Sequence, residues 1–282
     1  MSTTDGLWRG VPHSALAVIR RTFVHLATWI AALARPPRVG ERRLFPATVR
    51  LVAGLAVAAV AIVATMAFVD AWAYEQARRL PRGIVAVFNE ITDFGKSGWF
   101  LWPLGVLLVV VAAIESPALS RLTNLVLVSM AVRLGFLFAA ISIPGIVASL
   151  VKNMIGRRRP SDLGPWLYAP FTWKPAFSSM PSGHSTTAFA VAIAFGAVFP
   201  RARLVLWIYA GIIALSRIVI TAHFPSDVLA GALVGACGAL IVRNWFAARG
   251  LGFVFAPDGS VLARPGPSWR RLKRVAGRVA GY

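Results

Sequence analysis

Runs of about twenty mostly apolar residues recur along this chain, and that is the length an α-helix needs to cross the hydrocarbon of a bilayer. In hydrocarbon every backbone N–H and C=O must find its partner within the chain, so only helices or a closed barrel can span. Unbroken apolar runs, rather than two-residue alternation, select helices. Six spans are expected, at residues 50–72, 98–116, 124–151, 183–200, 203–221 and 226–243. The fold class that follows is all-α, a polytopic membrane protein built as a six-helix bundle. Composition agrees: 57% of the 282 residues are hydrophobic and only 14% are charged, against about 25% charged in a soluble domain. The run from Leu51 to Val69 is the clearest and ends in an aromatic and acidic cluster around Asp70, Trp72 and Tyr74. The basic region before it is too long for a cleavable signal peptide, so it reads as a retained anchor. The organisation is a basic, amphipathic region (1–49), the six-span unit (50–243) and a basic tail (244–282).

A formal net charge of +20 would suit nucleic acid, but its distribution argues for a membrane. Arg9, Arg20, Arg21, Arg35, Arg38, Arg42, Arg43 and Arg50 crowd the start of the chain. Arg243, Arg249, Arg264, Arg270, Arg271, Lys273, Arg274 and Arg278 crowd its end. Basic segments flanking spans stay on the cytoplasmic side and hold anionic headgroups. Both termini are therefore expected in the cytoplasm, with anionic membrane lipids as partners and no nucleic acid. Counting spans outward puts residues 73–97, 152–182 and the turn His223–Ser226 on the opposite face, the periplasm if the membrane is a bacterial inner membrane. Arg78, Arg79, Arg82 and Lys152–Arg159 dilute the charge rule locally, so the terminal segments decide the orientation. Cys237 is the single cysteine, which excludes an intramolecular disulfide and leaves a packing role.

Three polar islands interrupt the apolar pattern, and this topology brings all three to the outer face. They are Lys152–Pro160 (KNMIGRRRP), Pro181–His184 (PSGH) and Ser216–Asp227 (SRIVITAHFPSD). Of the four histidines His13, His25, His184 and His223, the last two lie in islands, among basic residues. That grouping suits nucleophilic and proton-transfer chemistry. Asp227 lies four residues after His223, and a helical turn or the tight turn through Phe224 and Pro225 would bring the two together. It can accept a hydrogen bond from one imidazole nitrogen and leave the other directed at substrate; capping the sixth span is its structural alternative. Ser182, Gly183 and His184 open the fourth span, where helix-start amides hold anions. Lys152, Arg159 and Arg217 add fixed positive charge. Arg217 interrupts an apolar run, where an unpaired charge is expensive, and an anionic partner accounts for it. Such a set fits phosphoryl transfer, which spreads negative charge over the phosphoryl oxygens. Arg157 and Arg158 steer an anionic substrate, touch lipid phosphates or face solvent; Arg133, inside the third span, reads as structural. The residues alone leave open which histidine attacks and which donates a proton.

Read in order as K-x6-R-P, P-S-G-H and S-R-x5-H-x3-D, the islands resemble the signature of the type 2 phosphatidic acid phosphatase family, the lipid phosphate phosphatases. The resemblance covers Lys152 to Asp227, and no principal motif residue departs from the pattern. It implies that His223 is the nucleophile and forms a phosphohistidine, that Asp227 orients it, and that His184 protonates the leaving oxygen and later helps activate water. It also implies that Lys152, Arg159, Ser182, Gly183 and Arg217 bind the phosphate. The reaction implied is hydrolysis of a phosphate monoester or diphosphate on a membrane lipid: phosphatidic acid, phosphatidylglycerol phosphate, a polyprenyl diphosphate or lipid A phosphate. No cofactor is expected, since acidic residues are sparse, cysteine is single and no nucleotide-binding glycine loop is present. Two other readings use the same residues: a lipid phosphotransferase, and a catalytically silent lipid-binding or transport protein.

Three segments outside the motifs carry their own pattern. Leu16, Ile19, Phe23, Leu26, Ile30 and Leu33 recur at helical spacing, as an amphipathic helix on the cytoplasmic interface or packed on the bundle from outside. Residues 83–97 read as a short amphipathic connector into the second span. The loop 161–182 carries Trp166, Tyr168, Phe171, Trp173 and Phe177 with Lys174, suited to substrate selection or to anchoring at the interface.

Overall fold

The computed structural model describes residues 11–38, 48–116, 119–161 and 163–279. Of the basic residues that orient the chain, Arg9, Arg42 and Arg43 lie outside them. The described helices are α1 (Val11–Ala34), α2 (Thr48–Phe68), α3 (Asp70–Arg78), α4 (Arg82–Thr92), α5 (Gly98–Ile114), α6 (Arg121–Ile155), α7 (Gly183–Val198), α8 (Arg203–Val219), α9 (Pro225–Ala248) and α10 (Trp269–Val279). A short antiparallel hairpin, β1 (Phe253–Phe255) with β2 (Val261–Ala263), separates the last two. The protein is an all-α integral membrane bundle. Among the described residues, five helical stretches are long and apolar enough to cross a membrane, and six if the bent pair α2–α3 counts as one span.

The first amphipathic segment follows one of its two expected readings, packed on the bundle from outside, and one expected span is shorter than predicted. The helix α1 meets the length and hydropathy of a span. It nevertheless rests against the far ends of α5 and α9: Arg21 donates to the Ala113 carbonyl at 2.8 Å, and Trp245 Nε1 donates to Leu33 O at 3.1 Å. Conversely α7, expected as the fourth span, has only 16 residues. It is the central helix, packed against α6, α8 and α9, and its alanines at 188, 190, 192 and 194 are fully or nearly fully buried.

Lipid gives no hydrophobic driving force between helices, so their association depends on small residues that let backbones approach. Gly231 and Gly235 do this one helical turn apart on α9. A Cβ at Gly231 would run into the Ser182 carbonyl, and one at Gly235 into that of Thr186. Gly235→Leu is therefore expected to cost about 1–3 kcal/mol or more by overpacking. A thermal unfolding scan of the purified protein should show a clearly lowered midpoint; an unchanged midpoint would refute this account of the α7–α9 contact.

The end of the bundle opposite the polar islands is closed by α1 and by the hairpin after α9. Phe253 of the hairpin is buried, its ring 4.6 Å from that of Phe136. Arg133 holds the segment after the hairpin by donating to the Arg264 carbonyl at 2.9 Å, a structural contact as its position suggested. Cys237 does not pack inward as expected but faces out from α9. Surrounding lipid is as apolar as a core, so a small thiol loses little there.

Candidate active site

The ends of α6 and α8, the starts of α7 and α9 and the bend between α2 and α3 meet at one end of the bundle. Gly156 stops α6 with a left-handed backbone (φ 59°), where a Cβ would collide with the Ala169 carbonyl. The chain then folds back on itself: Arg158 N–H donates to Leu167 O, and Ser179 N–H to Arg157 O at 3.0 Å. This delivers Ser179, Ser182 and Gly183 to the mouth of the bundle. There Ser182 N–H donates to the Asp227 carbonyl at 2.9 Å and ties α7 to α9.

His223 lies in the turn between α8 and α9 and is only 3% exposed. Its backbone N–H donates to Arg217 O at 3.2 Å. Its Nδ1 stands 3.8 Å from Asp227 Oδ2, an ion-pair separation rather than a hydrogen bond. The Ser179 hydroxyl donates to that Oδ2 at 2.6 Å and lies 3.5 Å from the ring nitrogen, so it stands between the two. Asp227 Oδ2 also accepts Phe224 N–H at 2.9 Å, so this carboxylate serves α9 as well as the histidine. Burial lowers the His223 pKa to about 4, with Asp227 opposing and Arg217 and Arg159 reinforcing the shift. The imidazole is thus neutral near pH 7, with a lone pair available.

Around it the remaining predicted residues converge. A Cβ on Gly183 would sit 3.6 Å from Lys152 Nζ, so the ammonium lies beside the first amides of α7. Arg217 is buried and donates from Nη1 to Thr92 Oγ1 at 2.7 Å, while its Nε has no hydrogen-bond partner among the described residues. Arg159 is steered by a 3.1 Å bond from Nε to the Pro175 carbonyl and lies within electrostatic range of Lys152, Arg217 and His223. His184 is within range of Lys152, Arg217 and His223. It also lines an open groove of about 600 Å³ between the Gly95–Leu101 segment and α6. Ser182 is the exception in orientation: its hydroxyl accepts from Ser185 at 3.2 Å, and its described contacts are structural.

A second layer escaped the sequence reading. Arg157, left there as a solvent or steering charge, is fully buried. It donates to Asp227 Oδ1 at 2.7 Å, Asp70 Oδ2 at 2.7 Å, Ser226 Oγ at 2.6 Å and the Pro165 carbonyl at 3.2 Å. Its guanidinium stacks 4.6 Å from the centre of the Phe224 ring. Burial works against that charge, but Asp227 and Asp70 raise its pKa above the usual value. The clue was Asp70 itself: a carboxylate at the end of an apolar run needs a buried cation. In the loop, Trp166, Phe171 and Trp173 are exposed, while Phe177 meets Arg158 at 5.9 Å.

Over 192 residues the chain is 35% identical to the lipid A 1-phosphatase of Rhizobium johnstonii, a match covering 67% of this chain and 78% of that protein. Residues 133–251 match the PAP2 superfamily. The chain belongs to the PAP2 superfamily. A second relative, the lipid A 1-phosphatase of Rhizobium etli, is 34% identical over 188 residues, or 65% of this chain and 81% of its own. Among solved structures, Aquifex aeolicus LpxE is 23% identical and matches at a TM-score of 0.45 over 61% of this chain and 93% of its own. The PAP2-type phosphatidylglycerolphosphate phosphatase of Bacillus subtilis is 18% identical, with a TM-score of 0.40 over 82% and 94%. The PAP2 match contains every site residue read from the sequence, but stops short of Asp70 and Thr92.

Proposed function

We propose that this PAP2 membrane lipid phosphatase hydrolyses a phosphate monoester on a lipid A-type glycolipid through a phosphohistidine at His223. The observation that carries the reaction is a buried, neutral imidazole facing a cluster of cations, one of which, Arg217, has a buried Nε without a partner among the described residues. The lipid identity is carried by the 35% identical relative named for lipid A 1-phosphate. Phosphate oxygens are held by Lys152, Arg159 and Arg217 and by the Gly183 amide at the start of α7, with Ser182 shaping that start. His223 Nε2, the nitrogen turned from Asp227, attacks phosphorus. The bond from phosphorus to the lipid oxygen breaks, and His184 gives that oxygen a proton. Water then attacks phosphorus and passes a proton to His184, the bond from phosphorus to His223 Nε2 breaks, and inorganic phosphate leaves. Asp227 and Ser179 hold the Nδ1 side of the ring and favour the positive charge that develops on attack.

The same reading assigns the reaction to the six-span unit, residues 50–243. The basic regions 1–49 and 244–282 serve membrane attachment through anionic lipids. With both termini cytoplasmic, the site faces the periplasmic side of an inner membrane. The reaction is proposed to need no metal or cofactor, and release in the presence of EDTA tests that.

Phosphate release by purified protein across a panel of lipid A 1-phosphate, phosphatidic acid, phosphatidylglycerol phosphate and undecaprenyl diphosphate, with EDTA present, tests this. Selective, EDTA-resistant release from lipid A is expected. Preference for a glycerophospholipid would overturn the substrate assignment. Release that requires an added lipid acceptor would replace hydrolysis by phosphotransfer, and no turnover with any lipid would leave a binding protein.

A further inference from the structure

We infer that Asp70 is a positioning residue for phosphoryl transfer: from the bend between α2 and α3, its carboxylate fixes the start of α9 and, through Arg157, the carboxylate of Asp227. The inference rests on the reading of His223 as nucleophile. Asp70, Arg157, Ser226 and Asp227 are all 0% exposed, so nothing in this chain of contacts is shared with water. One oxygen of Asp70 accepts the Ser226 N–H at 2.9 Å. That N–H belongs to the first turn of α9, where helix geometry provides no partner; a residue over 150 positions away supplies the cap. The other oxygen accepts from the Ser226 hydroxyl and from Arg157 Nη2.

Arg157 is held between two carboxylates. Its Nη2 reaches Asp70 and its Nη1 reaches Asp227, both at 2.7 Å, and the guanidinium plane fixes the geometry between them. Loss of the Asp70 charge frees Arg157 to move towards Asp227, whose other oxygen faces Ser179 and His223. Asp70 also determines where the α9 start lies, and His223 stands in the turn immediately before it. The backbone is built for this contact: the helix axis turns by 50° between α2 and α3, at the residues leading into Asp70. One turn further on, Tyr74 meets Phe224 edge to face with ring centres 6.2 Å apart, so α3 braces the nucleophile turn at two points. Burying a charged triad is a poor way to gain stability alone, since apolar residues of the same volume do as well or better. Holding a reacting group in one place is what such a triad adds.

Asp70→Asn tests the inference, because it keeps the shape and an acceptor for Ser226 N–H while removing the charge that holds Arg157. We expect kcat on lipid phosphate to fall on the order of 10–100-fold, as for a small displacement of a reacting group. KM should stay within about threefold, because the phosphate cations are untouched. The rate of phosphoenzyme formation in rapid-quench experiments should fall in parallel. A residue needed only for folding would lower yield and melting temperature but leave kcat per folded molecule unchanged. Well-folded Asp70→Asn enzyme with wild-type kcat overturns the inference. If that variant does not fold, Asp70→Glu decides: it keeps the charge for Arg157 but displaces the carboxylate from the Ser226 N–H by a methylene. Lower kcat at unchanged KM then supports positioning, and wild-type kcat overturns it. Absence of any phosphoenzyme in the wild type would instead sink the nucleophile reading, so the two failures are told apart.

Discussion

His223→Ala is expected to abolish phosphate release, lowering kcat/KM on the order of 10³-fold or more, as removal of a covalent nucleophile does. The phosphoenzyme trapped by alkaline quench of the wild type should be absent from the variant. The pH dependence provides a second check on the same residue. An ordinary imidazole protonates near 6.5, but burial holds His223 at about 4. Attack needs the neutral ring, so activity carried by His223 is present above that value and lost as pH falls through it. The acid limb of kcat/KM should therefore break near pH 4. A break near 6.5 would show that the attacking imidazole is solvated in the free enzyme, contrary to its burial. A His223→Ala enzyme that keeps a tenth of its activity would remove this histidine from the chemistry altogether.

Arg157→Ala is expected to have the largest effect on the fold. Removing one member of a buried ion pair leaves an uncompensated charge and typically costs about 3–5 kcal/mol. Here one guanidinium serves two carboxylates, Asp70 and Asp227, and both would be left buried without it. That is a large part of the roughly 5–15 kcal/mol by which a folded domain is stable. Arg157→Lys should rescue little, because an ammonium is a point charge and cannot reproduce the planar fork. Arg159→Ala is the control: Arg159 makes an exposed bond to the Pro175 carbonyl and, among the described residues, belongs to no buried pair, so that variant should fold and lose phosphate affinity instead. Yield of monodisperse protein and its unfolding midpoint measure both effects. A wild-type midpoint for Arg157→Ala would mean that the two carboxylates are not charged together in the folded protein.

The spans were legible because apolar length is a direct physical requirement of the bilayer. The convergence of the three islands followed from counting those spans. Lys152, Arg159, Gly183, His184, Arg217, His223 and Asp227 could be singled out because each breaks an apolar pattern at a span end. Arg157 could not, since three arginines in succession (157–159) look alike in sequence and only burial separates them. Its partner Asp70 is 87 positions away, and no local periodicity links the two. Ser179 was equally hidden, a serine in an aperiodic loop whose role depends on the chain returning to α9. For α1 the pattern left two resting places open, the interface or the outside of the bundle, and the contacts with α5 and α9 place it against the bundle.

The shortness of α7 has a consequence for the depth at which chemistry occurs. At about 1.5 Å per residue, its 16 residues reach only about 24 Å, whereas the hydrocarbon layer is about 30 Å thick. If the shortfall lies at its start, the helix proposed to offer its first amides to the phosphate begins below the level of a full-length span. A lipid phosphate can meet its reagents there by settling a few ångströms inward, with its chains still in hydrocarbon. A water-soluble ester would have to leave bulk solvent and shed hydration to reach the same atoms. On the proposed reading, selection for amphiphiles would begin with a missing turn of helix, before any side chain reads a headgroup.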